Sequence, residues 1–432
     1  MSENDLKLIK FSSFLYYLIP VFLIKFIFFA DFFLVLISSI FLYLTFKYKK
    51  FSYFNNIYFK VFLVFYLLIT IRSIFSDNVY LSIGSSVFYF RFALFSLATI
   101  FLLEFNINFV NKLKFIFTAI FLTLFFDIIF QYYSGKNILG MSYVYFNDQN
   151  YRFTSFFYDR GVLGSYVSRF FPFLIALFFF KNKNEITNRD IILIITLFII
   201  SFILVVLSGE RTSLFLLFLG FTLILLTSNG ALKKISLLLI VPLILMLVIL
   251  INSDVKIKNR ILYQTLDQLE YKQSEKRIRA FGKIYESHFE ISFKMFKQNP
   301  VFGKGVKMFR DFCSKPENFV NQSGACTTHP HHTYVQLLAE TGLSGFVIIF
   351  FLFILITFIL FKNFISNFFN LNKLNTLNSN YNNARMCLLA GTFITLSPFN
   401  PSGNFFNNWL SIIYFFPIGF LLYLQNSKKF YK

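Results

Sequence analysis

The chain has 432 residues, of which 56% are apolar and only 14% charged. That balance excludes a soluble globular enzyme and a disordered chain, and several apolar runs reach the roughly 20 residues that a helix needs to cross a bilayer. The formal charge of +21 would suit nucleic acid, but the basic residues collect in short loops on one side of the apolar runs, which is the signature of membrane topology.

The expected class is therefore an all-α polytopic integral membrane protein, with about twelve transmembrane helices over 12–30, 32–47, 58–74, 82–103, 111–132, 162–181, 189–207, 212–227, 233–252, 343–362, 384–397 and 406–425. The 69 Phe read first as lipid-facing filler. Lys47, Lys49, Lys50, Lys112, Lys114, Lys181, Lys183, Arg189, Lys233, Lys234, Lys362, Lys373 and Arg385 fall in the inner loops or at the span ends beside them, and Lys428, Lys429 and Lys432 in the tail. This puts both termini in the cytoplasm. The first apolar run has no small-x-small cleavage site and is expected to stay as an anchor. Three parts follow: 1–252, with nine helices and an outer loop at 133–161; 253–342, a large outer loop; and 343–432, with three helices and a tail.

The 133–161 loop ends in an aromatic stretch flanked by Arg152 and Arg160, and Arg211 sits in the tight outer turn Ser208-Gly209-Glu210-Arg211-Thr212. Guanidinium groups bind phosphate oxygens bidentately and keep their charge at any relevant pH. At a bilayer edge their natural ligand is a lipid phosphate or diphosphate. Snorkelling, or pairing with Glu210 and Asp159, is the plain alternative.

The large loop opens with an expected amphipathic helix over 276–297, in which Ile278, Phe281, Tyr285, Phe289, Phe293 and Phe296 recur every three or four residues. It would lie in the membrane interface or on a small core of the loop itself. Asn299-Pro300 ends it, and Gly303 and Gly305 permit a tight turn. Cys313 and Cys326 share this loop, whereas Cys387 lies in a span. In an oxidising compartment the pair most simply forms a disulfide; a metal site with two histidines is the rival, without the usual zinc spacing.

Three of the four histidines fall in His329-Pro330-His331-His332, where the loop re-enters the membrane. A neutral imidazole there is available as a general base. His332, directly before the helix that starts at Thr333, is the sharpest candidate, with His331 and His329 beside it; a capping histidine is the bland reading. No Asp-x-Asp pair stands in the outer loops to hold a metal against a nucleotide diphosphate.

These residues resemble the O-antigen ligase and polymerase superfamily. The resemblance rests on His332 with Gly342 ten positions on, followed by Leu343-Ser344-Gly345; on Asn299-Pro300-Val301-Phe302-Gly303-Lys304-Gly305; on the Arg211 turn; and on Arg152 through Gly164-Ser165-Tyr166. It covers about 150–345 and implies an inverting, metal-independent glycosyltransferase without a cofactor, in the bacterial inner membrane with its site facing the periplasm. The partners it implies are membrane lipids, a donor polysaccharide on undecaprenyl diphosphate, and an acceptor sugar, in ligases usually on the lipid A core; nucleic acid is not among them. His332 would activate the acceptor hydroxyl while Arg152, Arg211 and Arg160 hold the diphosphate. Polymerization on the lipid carrier, and transport of lipid-linked sugars, are the alternatives. One departure stands out: family members often carry an Arg and a Trp where this chain has Tyr285 and Phe289, and Arg279 lies over a turn earlier.

Overall fold

The computed structural model describes residues 2–147, 150–180, 186–269, 281–318, 320, 324–369 and 376–427. Apart from one short hairpin its regular structure is helical, and each of the twelve expected ranges overlaps a helix; 12–30 crosses a break at Phe26, 82–103 holds two helices, and residue 181 lies outside the described residues. The elements are α1 (Glu3–Lys25), α2 (Ile27–Lys47), α3 (Ile57–Ile74), α4 (Val79–Ser86), α5 (Phe90–Phe105), α6 (Phe109–Ser134), β1 (Val144–Asn147), β2 (Asn150–Arg152), α7 (Leu163–Phe178), α8 (Asn188–Leu207), α9 (Arg211–Thr227) and α10 (Gly230–Ser253). The large loop holds α11 (Val255–Lys258), α12 (Gln264–Leu269), α13 (Lys283–Gln298) and α14 (Phe309–Cys313), before α15 (Thr333–Phe368), α16 (Thr376–Thr395) and α17 (Asn408–Ser427). Among the described residues nine helices are long and apolar enough to cross a membrane; α7 and α9 are shorter apolar helices.

The centre of the bundle is α5, α7, α16 and α17. All of α7 except Ser165 is buried, Ser168 and Arg169 included, so both its apolar and its polar side chains face other helices. Small residues let the backbones approach: a Cβ at Gly419 of α17 would come 2.4 Å from Thr99 Cβ of α5. By contrast α10 presents Leu238, Val241, Ile249 and their neighbours outward, as a lipid-facing helix does.

Polar residues at the loop-side ends of the helices hold the connections. In α6, Gln131 Oε1 accepts the Thr154 and Ser155 amides at 3.1 and 2.9 Å, and Asp127 accepts the Ile138 amide and the Ser155 hydroxyl at 3.0 and 2.5 Å. These bonds fix the segment that carries Arg152. Glu210 accepts the Gly164 and Ser165 amides (2.7 and 3.1 Å) and the Ser213 hydroxyl (2.9 Å). It thereby satisfies orphan donors at the start of α7.

The helix expected over 276–297 starts later, at Lys283, and its buried stripe is a different one. His288, Ile291, Ser292 and Met295 are buried, while Phe293 is exposed. The aromatic stripe has helical spacing, but the neighbouring stripe packs against Met308, Phe309, Phe312 and Ala339 to form a small core of the loop itself. Ile278 and Arg279 lie outside the described residues.

Candidate active site

The path from Asn299 to Gly345 is built on backbone pairing. α15 is two helices joined at Gly342, whose φ of 65° and ψ of −166° interrupt the helix. Across this break Leu343 N donates to Pro300 O (2.8 Å), Ser344 N to Val301 O (3.0 Å), Lys304 N to Ala339 O (3.1 Å) and Gly305 N to Glu340 O (2.9 Å). Such broken backbone survives at a membrane boundary because another segment supplies the missing partners. The approach needs glycine on both sides: a Cβ on Gly303 would lie 2.4 Å from the Glu340 carbonyl carbon, and one on Gly342 2.4 Å from Val301 O. The turn residues Gly303 and Gly305 and the later Gly342 thus act as one clasp, which sets the short helix from Thr333 to Thr341 under the loop.

That short helix begins at His332. Nδ1 of His332 accepts the Val335 amide proton at 3.3 Å, so the proton sits on Nε2, which donates to Pro398 O at 3.0 Å. Both ring nitrogens are engaged, and His332 is the N-cap of α15. These are the contacts of the residue that the sequence singles out as the base, and they supply the helix start with an acceptor for its orphan N–H groups.

His331 is placed otherwise. Its backbone takes a positive φ of 54°, and its carbonyl accepts the Ser402 amide at 2.9 Å. Its ring lies 4.0 Å from that of His329, 5.3 Å from that of His288 and 6.0 Å from that of Tyr285. No hydrogen bond to the His331 ring exists among the described residues. His329 Nδ1 meets the Thr328 hydroxyl at 2.9 Å, and His288 Nε2 meets Gly324 O at 2.9 Å. Burial lowers the basicity of the whole group: His329 is pushed down to about 3, with the His331 charge contributing, and His331 to about 4. Burial also lowers His288 and His332. All four are neutral near pH 7.

Cys313 and Cys326 are joined by a disulfide, with Cα atoms 5.3 Å apart. Cys313 is buried in the loop core beside Phe309 and Phe312, so the bridge ties the histidine strand to that core. Among the described residues no cluster has a metal-binding arrangement.

Beside the histidines lies a group of arginines. Arg211 Nη1 donates to Gln264 O (2.9 Å), while Arg260 donates to Gln264 Oε1 (2.6 Å) and Gly209 O (3.1 Å). Burial, then the charges of Arg152 and Arg211, push Arg260 down to about 10. Arg152, which donates to Gly161 O at 3.3 Å, therefore shares one field with Arg211 and Arg260. Arg160 stands apart: its side chain is exposed and makes no hydrogen bond or ion pair among the described residues. Tyr285 connects the two groups, being within electrostatic reach of Arg211 and Arg260 and in ring contact with His331 and His288. Phe289 packs on His332, ring centroids 5.4 Å apart.

Residues 196–350 match the family model described as O-antigen ligase. This part of the chain is O-antigen ligase-like. The O-antigen ligase-like stretch runs from within α8 through Arg211, Arg260, Tyr285, the disulfide, the histidines and the Gly342 break; Arg152 lies before it. The chain is a multi-pass membrane protein, and the family match covers 196–350 of its 432 residues. No curated protein matches it. Sequence reasoning missed Arg260. Its setting among Lys256 and Lys258 looks like an ordinary juxtamembrane basic cluster, and no local pattern separates it from them.

Proposed function

We propose that the chain is an inverting, metal-independent glycosyltransferase of the ligase kind. It takes polysaccharide from undecaprenyl diphosphate and joins it to a sugar hydroxyl of a lipid A core, at the periplasmic face of the bacterial inner membrane. The observation that carries this reading is the juxtaposition, through Tyr285, of a neutral, accessible His331 with the positive field of Arg152, Arg211 and Arg260. The positive-inside pattern of the loops supports the orientation.

In the step itself the acceptor hydroxyl gives its proton to an imidazole as its oxygen attacks the anomeric carbon. The bond from that carbon to the diphosphate oxygen breaks on the opposite face, and the electron pair leaves with the diphosphate. Guanidinium groups stabilise the developing negative charge, and need no reorganisation because their neighbours already hold them. His331 is the base in this reading. His332, the residue singled out by the sequence, positions it: its ring is fully engaged as a cap, and its rigid anchor to Pro398 fixes the adjacent residue. Arg160 is left out of diphosphate binding.

The test is the glycolipid profile of a strain lacking the protein, with the undecaprenyl-linked pool measured beside it and His331→Asn used for complementation. Long chains held on the carrier above bare cores, not cured by His331→Asn, support the ligase. Cores bearing a single repeat would make the protein a polymerase, and an unchanged profile would refute both.

A further inference from the structure

A second polar cavity is lined in part by the end of the 398–407 connection, and none of the four histidines lines it. Its volume is about 320 Å3, and its polar lining comes from Asp31 of α2, Ser85 of α4, Arg91 of α5, Lys307 of the large loop and Asn408 of α17. Nothing in the proposed glycosyl transfer uses these residues. They come from five separate segments, all five side chains are partly buried, and partly buried polar groups from five segments do not converge on a cavity of this size for packing alone.

The charges show what the cavity prefers. Asp31 is its one carboxylate, and that charge is already met: Arg91 Nε and Nη2 donate to its two oxygens at 2.8 and 3.1 Å, and Asn408 Nδ2 donates at 3.1 Å. Asn408 Oδ1 in turn accepts from Arg91 Nη2 at 3.1 Å, and Arg91 Nη1 donates to Phe88 O. Of the five guanidinium protons one is left. Lys307 is different, because among the described residues its ammonium has no carboxylate within ion-pair distance and no hydrogen bond. It is half-buried, and desolvation lowers its basicity, with the charges of Arg310 and Arg91 adding to the effect and Glu340 opposing it. The cavity therefore carries one net positive charge and about four unused charged N–H donors, and Lys307 is costly to keep there without an anion.

The mouth says where the anion comes from. Val35 of α2 and Phe88 border the opening, and both are exposed. Phe28 and Phe32 follow on the same face of α2, with Phe28 74% exposed. A charged cavity edged by outward-facing apolar side chains at the end of a membrane bundle fits an amphiphile whose phosphate enters and whose chains stay in the bilayer.

We infer that Arg91 and Lys307 form a binding site for the headgroup phosphate of a membrane lipid, on the loop side of the bundle and separate from the diphosphate site. The site also touches the machinery around the histidines. Asn408 and Phe406 end the connection whose Pro398 and Ser402 hold His332 and His331, and Lys307 follows the clasp on α15. An occupied site braces that connection.

The inference stands independently of glycosyl transfer, so its test is a binding measurement. The protein, purified in dodecyl maltoside, is titrated with dioleoyl phosphatidylglycerol, with dioleoylglycerol, which lacks the phosphate, and with inorganic phosphate, and bound lipid is counted by native mass spectrometry. The expected result is one tightly held phosphatidylglycerol, not replaced by dioleoylglycerol or displaced by millimolar phosphate. Lys307→Gln should weaken it by at least about tenfold, the loss expected for a charge-assisted contact, and Lys307→Arg should keep it. Should Lys307→Gln fail to fold, Gly84→Leu carries the test: Gly84 lines the cavity, and a Cβ there meets nothing within 4 Å, so the variant adds apolar bulk to the lining from a position with room for it. Lys315→Gln, which removes a surface lysine paired with Asp77, should change nothing. Equal retention in wild type, Lys307→Gln and Gly84→Leu would overturn the site. Equal loss in Lys315→Gln would reduce it to general surface charge, and displacement by inorganic phosphate would make it a site for a soluble anion.

Discussion

Gly342→Ala should destabilise the loop-side end of the protein by about 4 kcal/mol. The residue holds φ 65° and ψ −166°, a region populated essentially by glycine alone, where a side chain costs about 1–3 kcal/mol. Its new Cβ would also lie 2.4 Å from Val301 O and 2.5 Å from Gly303 N. Relief requires the two strands to part, which puts at risk the bonds Leu343 N to Pro300 O and Ser344 N to Val301 O, each worth about 0.5–1.5 kcal/mol. The two contributions together span about 2–6 kcal/mol. Unfolding in mixed dodecyl maltoside and dodecyl sulfate micelles, followed by circular dichroism, measures the difference. Gly220→Ala serves as the control, since its Cβ would meet Ile394 at an ordinary 3.4 Å. A Gly342→Ala protein within about 1 kcal/mol of wild type would show that the break is not held by this clasp, and the account of how the histidines are positioned would fall with it.

The two adjacent histidines separate by substitution to asparagine. His332→Asn keeps a good N-cap and should retain most transferase activity in membranes, whereas His331→Asn should lose about 10²–10⁴-fold; the reverse pattern returns the base to His332. Arg260→Ala should cost about 10–100-fold in transfer rate, as loss of a charged contact to the leaving group does, and Arg211→Lys should restore little of the loss in Arg211→Ala; full rescue by lysine argues against bidentate binding. The histidine cluster also makes stability depend on pH. Folded His329 and His331 titrate near 3 and 4 against about 6.5 when unfolded, so between these values the unfolded chain binds more protons. Stability therefore falls as pH drops from about 6.5 towards 4 and is flat above; His329→Gln should flatten thermal melts across that window, and an unchanged slope would contradict the burial. Breaking the bridge with Cys313→Ser frees a loop of sequence separation 13 and should cost about 3 kcal/mol, read as a drop in melting temperature that reductant reproduces in the wild type.

Much of this protein is written locally in its sequence. Apolar runs long enough to span a bilayer give the helices, because lipid leaves the backbone no partners but its own. The uneven basic loops carry the proposed orientation, and two cysteines thirteen positions apart in one polar loop give a disulfide candidate. The Asn299-Pro300 stop and the glycines after it mark a turn, since proline ends helices and glycine tolerates positive φ. The O-antigen ligase-like motifs around Arg211 and His332 were legible for the same reason: they are short and contiguous.

What the tertiary structure decided involves partners far apart in the chain. Arg260 meets Arg211 across about fifty residues through Gln264, and no periodicity connects them. The buried stripe of α13 is the one facing Phe309 and Phe312, although the aromatic stripe beside it fits a helix equally well. Only the positions of Val335 and Pro398 show that the His332 ring is engaged while that of His331 is not. Asp31 and Arg91, which as sequence are stray charges in apolar helices, line one polar cavity together with Lys307. Helix formation is local because its hydrogen bonds close over four residues; a binding site is not, because charge and shape complementarity are set by which helix ends the packing brings together.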